Sequence, residues 1–257
     1  MCIRDRYEAL GAATLTGHNN IGIGREAGDV LTSGACNIAI GAGALTDATD
    51  NCDNIAIGAA ALAATANDAD NNIAIGKTAM GAADVSGADN IAMGRVAMDA
   101  LTSGSCNIAI GLTALGAATD NCGNIAIGRS ALAASVNDAD ENIAIGTVAM
   151  GGADVSGAQN IAIGSTAMDA LTSGACNIGL GTDALGALLS GTNNIAIGKT
   201  ALGATTDGAN NVAIGVGALQ TSDGDGDNNV AIGNTAMGGA DVSGASNIAI
   251  GLSLIHI

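Results

Sequence analysis

Four stretches of this 257-residue chain carry residue types that bind nucleotides or metals. Gly22-Ile23-Gly24-Arg25-Glu26-Ala27 has the glycine spacing of a dinucleotide-binding turn, where glycines open a helix behind a strand and backbone amides meet a pyrophosphate. Gly76-Lys77-Thr78 and Gly198-Lys199-Thr200 end like a phosphate loop, and Asp223-Gly224-Asp225-Gly226-Asp227 begins like a calcium loop. Each has a plainer explanation. Gly24 is only one member of a repeated glycine column, and the glycine needed five residues before Gly76 and Gly198 is Asn71 and Asn193. In the acidic stretch Asn228 replaces the turn glycine and Asn234 the bidentate Glu, which leaves a solvated acidic turn as the favoured reading. His18 stands in a partial coil with nothing around which a catalytic dyad can be built. The expectation is therefore no enzyme, no cofactor and no metal site.

What the chain does offer is repetition. Asn-Ile-Ala-Ile-Gly, unaltered at Asn37 to Gly41, returns in near copies every 17 or 18 residues, fourteen times from Asn20 to Asn247. The first residue is always Asn and the fifth always Gly. The second is Ile except Val212 and Val230, and the fourth is Ile except Met93 and Leu180. Two free positions later comes an invariant Ala, as at Ala44, Ala61 and Ala79, followed by Leu or Met in every copy but Gly28. A longer period of about 70 residues overlies this one, seen in Leu31-Thr32-Ser33-Gly34, Leu101-Thr102-Ser103-Gly104 and Leu171-Thr172-Ser173-Gly174, as if a block of four coils had been duplicated.

A fixed short period marks a repeat protein whose units cannot bury their apolar face alone and must stack. Alternation within the motif predicts one short strand per coil, with both Ile on one face and the Ala on the other, between turn residues. The pair of Ile is expected inward. Stacked in register, the coils form an all-β parallel β-solenoid, a β-roll, with strands ~4.7–4.9 Å apart and a total length of about 65 Å. The half coil after the glycine reads equally as a tight turn or as one short helical turn, because Ala and Leu at consecutive positions do not alternate. The Asn column, including Asn37, Asn54, Asn72, Asn90, Asn107, Asn124 and Asn142, is expected to form a side-chain ladder at a corner, each amide bonding the next coil.

Both ends break this pattern. Met1-Cys2-Ile3-Arg4-Asp5-Arg6 back-translates to ATG TGT ATA AGA GAC AGR, and Leu252-Ser253-Leu254-Ile255-His256-Ile257 to CTG TCT CTT ATA CAC ATC, the two strands of a transposon-end sequencing adapter. Residues 1–6 and 252–257 are thus expected to be adapter-derived scars, and 7–251 a single continuous solenoid cut from a longer protein.

Composition agrees with a thin core: no Phe, Trp or Pro and one Tyr, so Ile, Leu, Met and Ala must fill it. A net charge of −17, carried largely by Asp in the loose columns, argues against nucleic acid or anionic membrane as partner. No apolar run reaches the ~20 residues of a membrane helix.

The Asn-Ile-Ala-Ile-Gly-x-x-Ala-Leu columns and the Gly191-Thr192-Asn193-Asn194 run resemble the head repeats of trimeric autotransporter adhesins. They are more similar still to the Asn-Thr-Ala-Ile-Gly-Tyr-Gln-Ala-Leu repeats of phage tail fibres and related bacterial surface proteins, whose second half Tyr7-Glu8-Ala9-Leu10 nearly reproduces. The chain departs from both in replacing almost every tyrosine, and no stalk, anchor or chaperone sequence falls within residues 7–251. The resemblance implies an extended, homotrimeric, adhesive rod outside the cell, on its surface or on a virion, with no catalysis.

Two alternatives remain open. An ice-binding solenoid would need a regular Thr column, but the position before the invariant Ala holds Thr78, Thr113, Thr166, Thr200 and Thr235 among Glu26, Gly43, Val96, Val148 and Asp183. A calcium-binding repeat protein would rest on Asp223 to Asp227. For assembly, the Ala of each strand, as at Ala39, Ala56 and Ala74, is expected to form an outward small-residue stripe on which the trimer packs. Among the cysteines, Cys36 and Cys106 precede a motif Asn, and Cys52 and Cys122 stand two before the next. One strand spacing separates such neighbours, so Cys36–Cys52 and Cys106–Cys122 bridges are expected, with Cys176 free; small buried filler is the other reading.

Overall fold

The computed structural model describes residues 3–5, 7–11, 14–65, 69–81, 84–136, 139–221, 226–239 and 244–253. The acidic stretch from Asp223 to Asp225 lies outside them. The chain falls into two compact units, Met1–Ala126 and Ile127–Ile257. In the first unit the strands are β1 (Ile3–Asp5), β2 (Ile21–Ile23), β3 (Ile38–Ile40), β4 (Ile55–Ile57), β5 (Ile73–Ile75), β6 (Ile91–Met93) and β7 (Ile108–Ile110). After β8 (Ile125–Ile127), at the division, the second unit carries β9 (Ile143–Ile145), β10 (Ile161–Ile163), β11 (Ile178–Leu180), β12 (Ile195–Ile197), β13 (Val212–Ile214), β14 (Val230–Ile232) and β15 (Ile248–Ile250).

Within each unit every strand pairs in parallel with its sequence neighbour and without slip, as in Ile38↔Ile55, Ala39↔Ala56 and Ile40↔Ile57, or Ile161↔Ile178, Ala162↔Gly179 and Ile163↔Leu180. This is an all-β parallel β-solenoid of 17- to 18-residue coils, with no helix among the described residues. The backbone of Ile3–Asp5 continues the same register onto β2.

The expected facing of the strands is inverted. From β2 to β15 the first and third residues of each strand, mostly Ile, do share a face, but it is the outer one, while the Ala between them is buried, as at Ala56, Ala109 and Ala144. The reason is volume. The invariant Ala and the following Leu or Met point inward from the opposite half coil, as Ala79 with Met80 and Ala114 with Leu115. A Cβ built on Gly22 would meet Leu10 Cγ at 2.7 Å, and one on Gly179 would meet Met168 Cε at 3.0 Å. The Leu or Met thus already reaches across to the strand, and only Ala or Gly fits beneath it. A third inward column, with Leu31, Val85, Leu101, Val155, Leu171 and Leu188 among its members, completes the core.

The half coil after the glycine is a tight turn, not a helical one. Consecutive Ala and Leu both face inward because the residues alternate in and out of the left-handed region: Thr78 has φ 51° and Met80 φ 51°, with Ala79 between them outside that region. A non-glycine residue pays about 1–2 kcal/mol there. Stacking compensates, since the Thr78 amide donates to Ala59 O at 3.0 Å and the Met80 amide to Ala97 O at 2.9 Å, one coil away on either side. The glycine closing each strand has two reasons to be glycine. Gly41 lies at φ 136°, and a Cβ on it would stand 2.4 Å from Gly58 O in the next coil.

Candidate functional site: the asparagine corner and the isoleucine face

At the corner before each strand from β2 to β14 the Asn side chain is buried, and in interior coils it ties three coils together. Asn107 receives the backbone amide of Asn124 on its Oδ1 at 2.9 Å, while its own amide donates to Asn90 Oδ1 at 3.0 Å. Its Nδ2 donates to Asn121 O at 2.6 Å, at the start of the following coil's corner. The same pattern runs through Asn37, Asn54, Asn72 and Asn90, with amide-to-Oδ1 distances of 2.8–3.0 Å. In the second unit Asn142 Oδ1 accepts from the Asn160 amide at 2.8 Å and Asn142 Nδ2 donates to Gly157 O at 2.9 Å. These amides are spent on stacking, which orients them away from any ligand.

Beyond that corner lies the strand's outer face. Two branched side chains per coil stand in adjacent rows, half-buried by their neighbours above and below, with Met93 39%, Ile110 38% and Ile163 40% exposed. At ~60 Å² apiece, the fourteen outer side chains of β9 to β15 present ~800 Å², one partner's share of a standard interface. Monomeric proteins seldom leave a continuous apolar patch of that size. The small-residue stripe expected at Ala39, Ala56 and Ala74 is instead interior.

Charge borders this face unevenly. Outside residues 1–6, every Lys and Arg of the chain, namely Arg25, Lys77, Arg95, Arg129 and Lys199, occupies the single position after the strand's glycine. All five are exposed, and Arg25 Nη2 stands 3.7 Å from Glu26 Oε2. The position before the corner Asn holds no cation after residue 6 and carries exposed Asp53, Asp89 and Glu141. Sequence reasoning aligned these columns and missed their sign; reading charge by column would have found it.

The cysteines join this second flank. Cys36, Cys106 and Cys176 occupy the same pre-Asn position, exposed and left-handed at φ 60–61°. The bridges expected from spacing are not formed, and all five described cysteines carry free thiols. Register explains it: Asp53, not Cys52, is the counterpart of Cys36, and Cys52 stacks on Ala35, whose amide approaches its sulfur at 3.4 Å. Cys52 Sγ is also 3.3 Å from Asp50 O, in its own coil.

Among the other sequence candidates, Gly24 closes β2 at φ 124° and opens no helix. His18 is exposed, its carbonyl receiving the Cys36 amide at 3.0 Å. Asp227 accepts the Ala209 amide at 2.8 Å. The Thr hydroxyls of the irregular column turn to their own backbone, Thr78 to Lys77 O at 2.8 Å and Thr200 to Lys199 O at 2.7 Å. Asp29 and Asp169, at equivalent positions of two blocks, are held above the usual carboxylate range chiefly by burial, Asp29 further by Glu26 and Asp47, and Asp169 by Asp183. No group of three or more metal-ligating side chains forms among the described residues, and no helix there is long and apolar enough to cross a membrane.

The geometry defines a β-solenoid repeat protein whose strands turn an apolar face outward in each unit. Compared with protein-family profiles, with curated proteins and with solved structures, the chain matches none.

Proposed function

We propose that the chain is a structural, adhesive segment that works by self-association, as a homotrimer packed on the isoleucine face, in a surface fibre outside the cell or on a virion, and that it performs no catalysis. The observation that supports this is the double row of half-exposed Ile, Val, Leu and Met on the strands β2 to β15. Burying such rows against copies of themselves releases ~25 cal/mol per Å². The trimeric stoichiometry and the surface setting rest on the resemblance of the Asn-Ile-Ala-Ile-Gly-x-x-Ala-Leu columns to adhesin heads and tail fibres. The buried Asn side chains of the corner are engaged in the stack itself.

Sedimentation velocity on the whole chain over nanomolar to micromolar concentration tests the reading. A three-chain species that Ile110→Ser with Ile163→Ser dissociates supports it. A monomer at all concentrations, or an oligomer indifferent to those substitutions, counts against it.

A further inference from the structure

The two flanks of the isoleucine face carry opposite charge, and each flank has a fixed place relative to the strand direction. The chain enters each strand past the pre-Asn column, with Asp53, Asp89 and Glu141, and leaves it past the post-glycine column, with Arg25, Lys77, Arg95, Arg129 and Lys199. We propose that this polarity orients self-association: a second copy of the chain docks on the face with its coils ascending in the same direction, so that the acidic flank of one copy meets the basic flank of the other. The inference rests on the self-association reading above and adds its direction, its register and the residues that set them.

The argument is one of symmetry. Turning a copy about an axis parallel to the coil stack reverses its strands while keeping the stacking direction. Acidic and basic flanks then meet, whether two copies close the ring or three. Turning it about an axis along the strands reverses the stacking and keeps the strand direction, which places basic flank on basic flank. Complementary potentials across an interface choose between such arrangements more than they add raw affinity, and like charges placed together disfavour the wrong one.

Register agrees with the first arrangement. Asp89 and Arg95 flank the same strand, β6, and so face each other's counterparts at equal height. Asp53 flanks β4 and Lys77 flanks β5, while Arg129 and Glu141 flank the successive strands β8 and β9. Each of these pairs is one coil apart, an offset of ~4.8 Å, against sheet faces ~10 Å apart that Lys and Arg side chains span. Glu141 is additionally held in place by Gln159 Nε2 at 2.9 Å. The flank cysteines follow the same logic: Cys36 of one copy would face position 42 of the next, and Cys176 would face position 182, whereas the reversed arrangement brings cysteine flank to cysteine flank.

The test uses the full chain. Association is measured by sedimentation at one fixed salt concentration, because each copy also carries a net charge of −17 whose mutual repulsion salt screens along with the flank attraction. K77E/R95E alone and D53K/D89K alone should each weaken it about tenfold, and the four-fold variant carrying both swaps should recover it. As a second readout, A42C and T182C should yield intermolecular disulfides to Cys36 and Cys176 under mild oxidation, mapped by peptide analysis, while the parent chain should not. Ala42 and Thr182 are exposed and outside the left-handed region, so both variants leave the coil intact. Association that persists with no recovery in the four-fold variant, or with parent cross-links joining Cys106 to Cys106, overturns the orientation and leaves self-association standing. A monomer under every condition overturns both.

Discussion

The two sides of one three-residue strand obey different rules. On the inner side of β7, Ala109 is completely buried under the Leu or Met arriving from the opposite half coil, and there is no room for another carbon. On the outer side Ile108 is only half-buried, and Ile110 keeps 38% of its surface in solvent. Within the strand the larger apolar residues therefore lie outside and the smallest inside, because Leu and Met from the other half coil already fill the core. The difference teaches that coil diameter, not hydropathy, decides what faces inward in so narrow a solenoid.

Substitutions on the two sides should separate accordingly. Gly94→Ala is expected to be the most damaging change, because Gly94 holds φ 142° and a Cβ there would lie 2.3 Å from Gly111 O. A loss of at least ~3 kcal/mol in urea unfolding is expected; a loss under ~1 kcal/mol would show that the coil corner yields. Asn107→Ala comes next, since it strands the Asn124 amide and the Asn121 carbonyl inside the stack. About 2–4 kcal/mol should be lost, one to two unmet buried partners at ~1–3 kcal/mol each.

The sharpest contrast between the faces lies between Ala109→Val and Ile110→Ala. Overpacking the inner side should cost ~1–3 kcal/mol, while trimming the outer side should change unfolding of the dissociated chain by less than ~1 kcal/mol and lower association instead. If Ile110→Ala destabilises the isolated chain more than Ala109→Val does, the inner and outer assignment is wrong.

A smaller effect concerns Asp29 and Asp169, buried enough at their turns to be held above the usual carboxylate range. An acid whose folded pKa is raised binds more protons folded than unfolded, so stability is greatest below the unfolded value and falls as pH rises through the folded one. Asp169→Asn should therefore raise the unfolding midpoint at pH 7, by no more than ~0.5 kcal/mol, and flatten the decline of stability above pH 4. A lowered midpoint at pH 7 would mean that the ionised carboxylate is favourably held. Least of all should the thiols matter: denatured, unreduced protein is expected to show reactive thiol from each of Cys36, Cys52, Cys106, Cys122 and Cys176, and blocking them should leave the midpoint unchanged.

The columns alone told much of this. Unvarying Asn and Gly, with Ile-Ala-Ile between them, implied one strand per coil, parallel stacking without slip and a side-chain amide at the corner, because only a fixed-period stack gives every coil the same neighbours. Alternation also placed Ile38 and Ile40 on one face, since side chains two apart in a strand always share one. Hydropathy assigned that face to the inside, wrongly, because period 2 is blind to which of the two faces is buried. The choice was settled by Met80, Leu115 and their equivalents, whose left-handed backbone sends them into the coil directly after an inward Ala and fills the space first. Sequence spacing likewise brought Cys36 and Cys52 near one another, but register, the height at which each residue meets its counterpart, set Cys36 beside Asp53. Chain order determined the stack; the finite volume within one coil decided what faces solvent, and with it the surface available to a second copy.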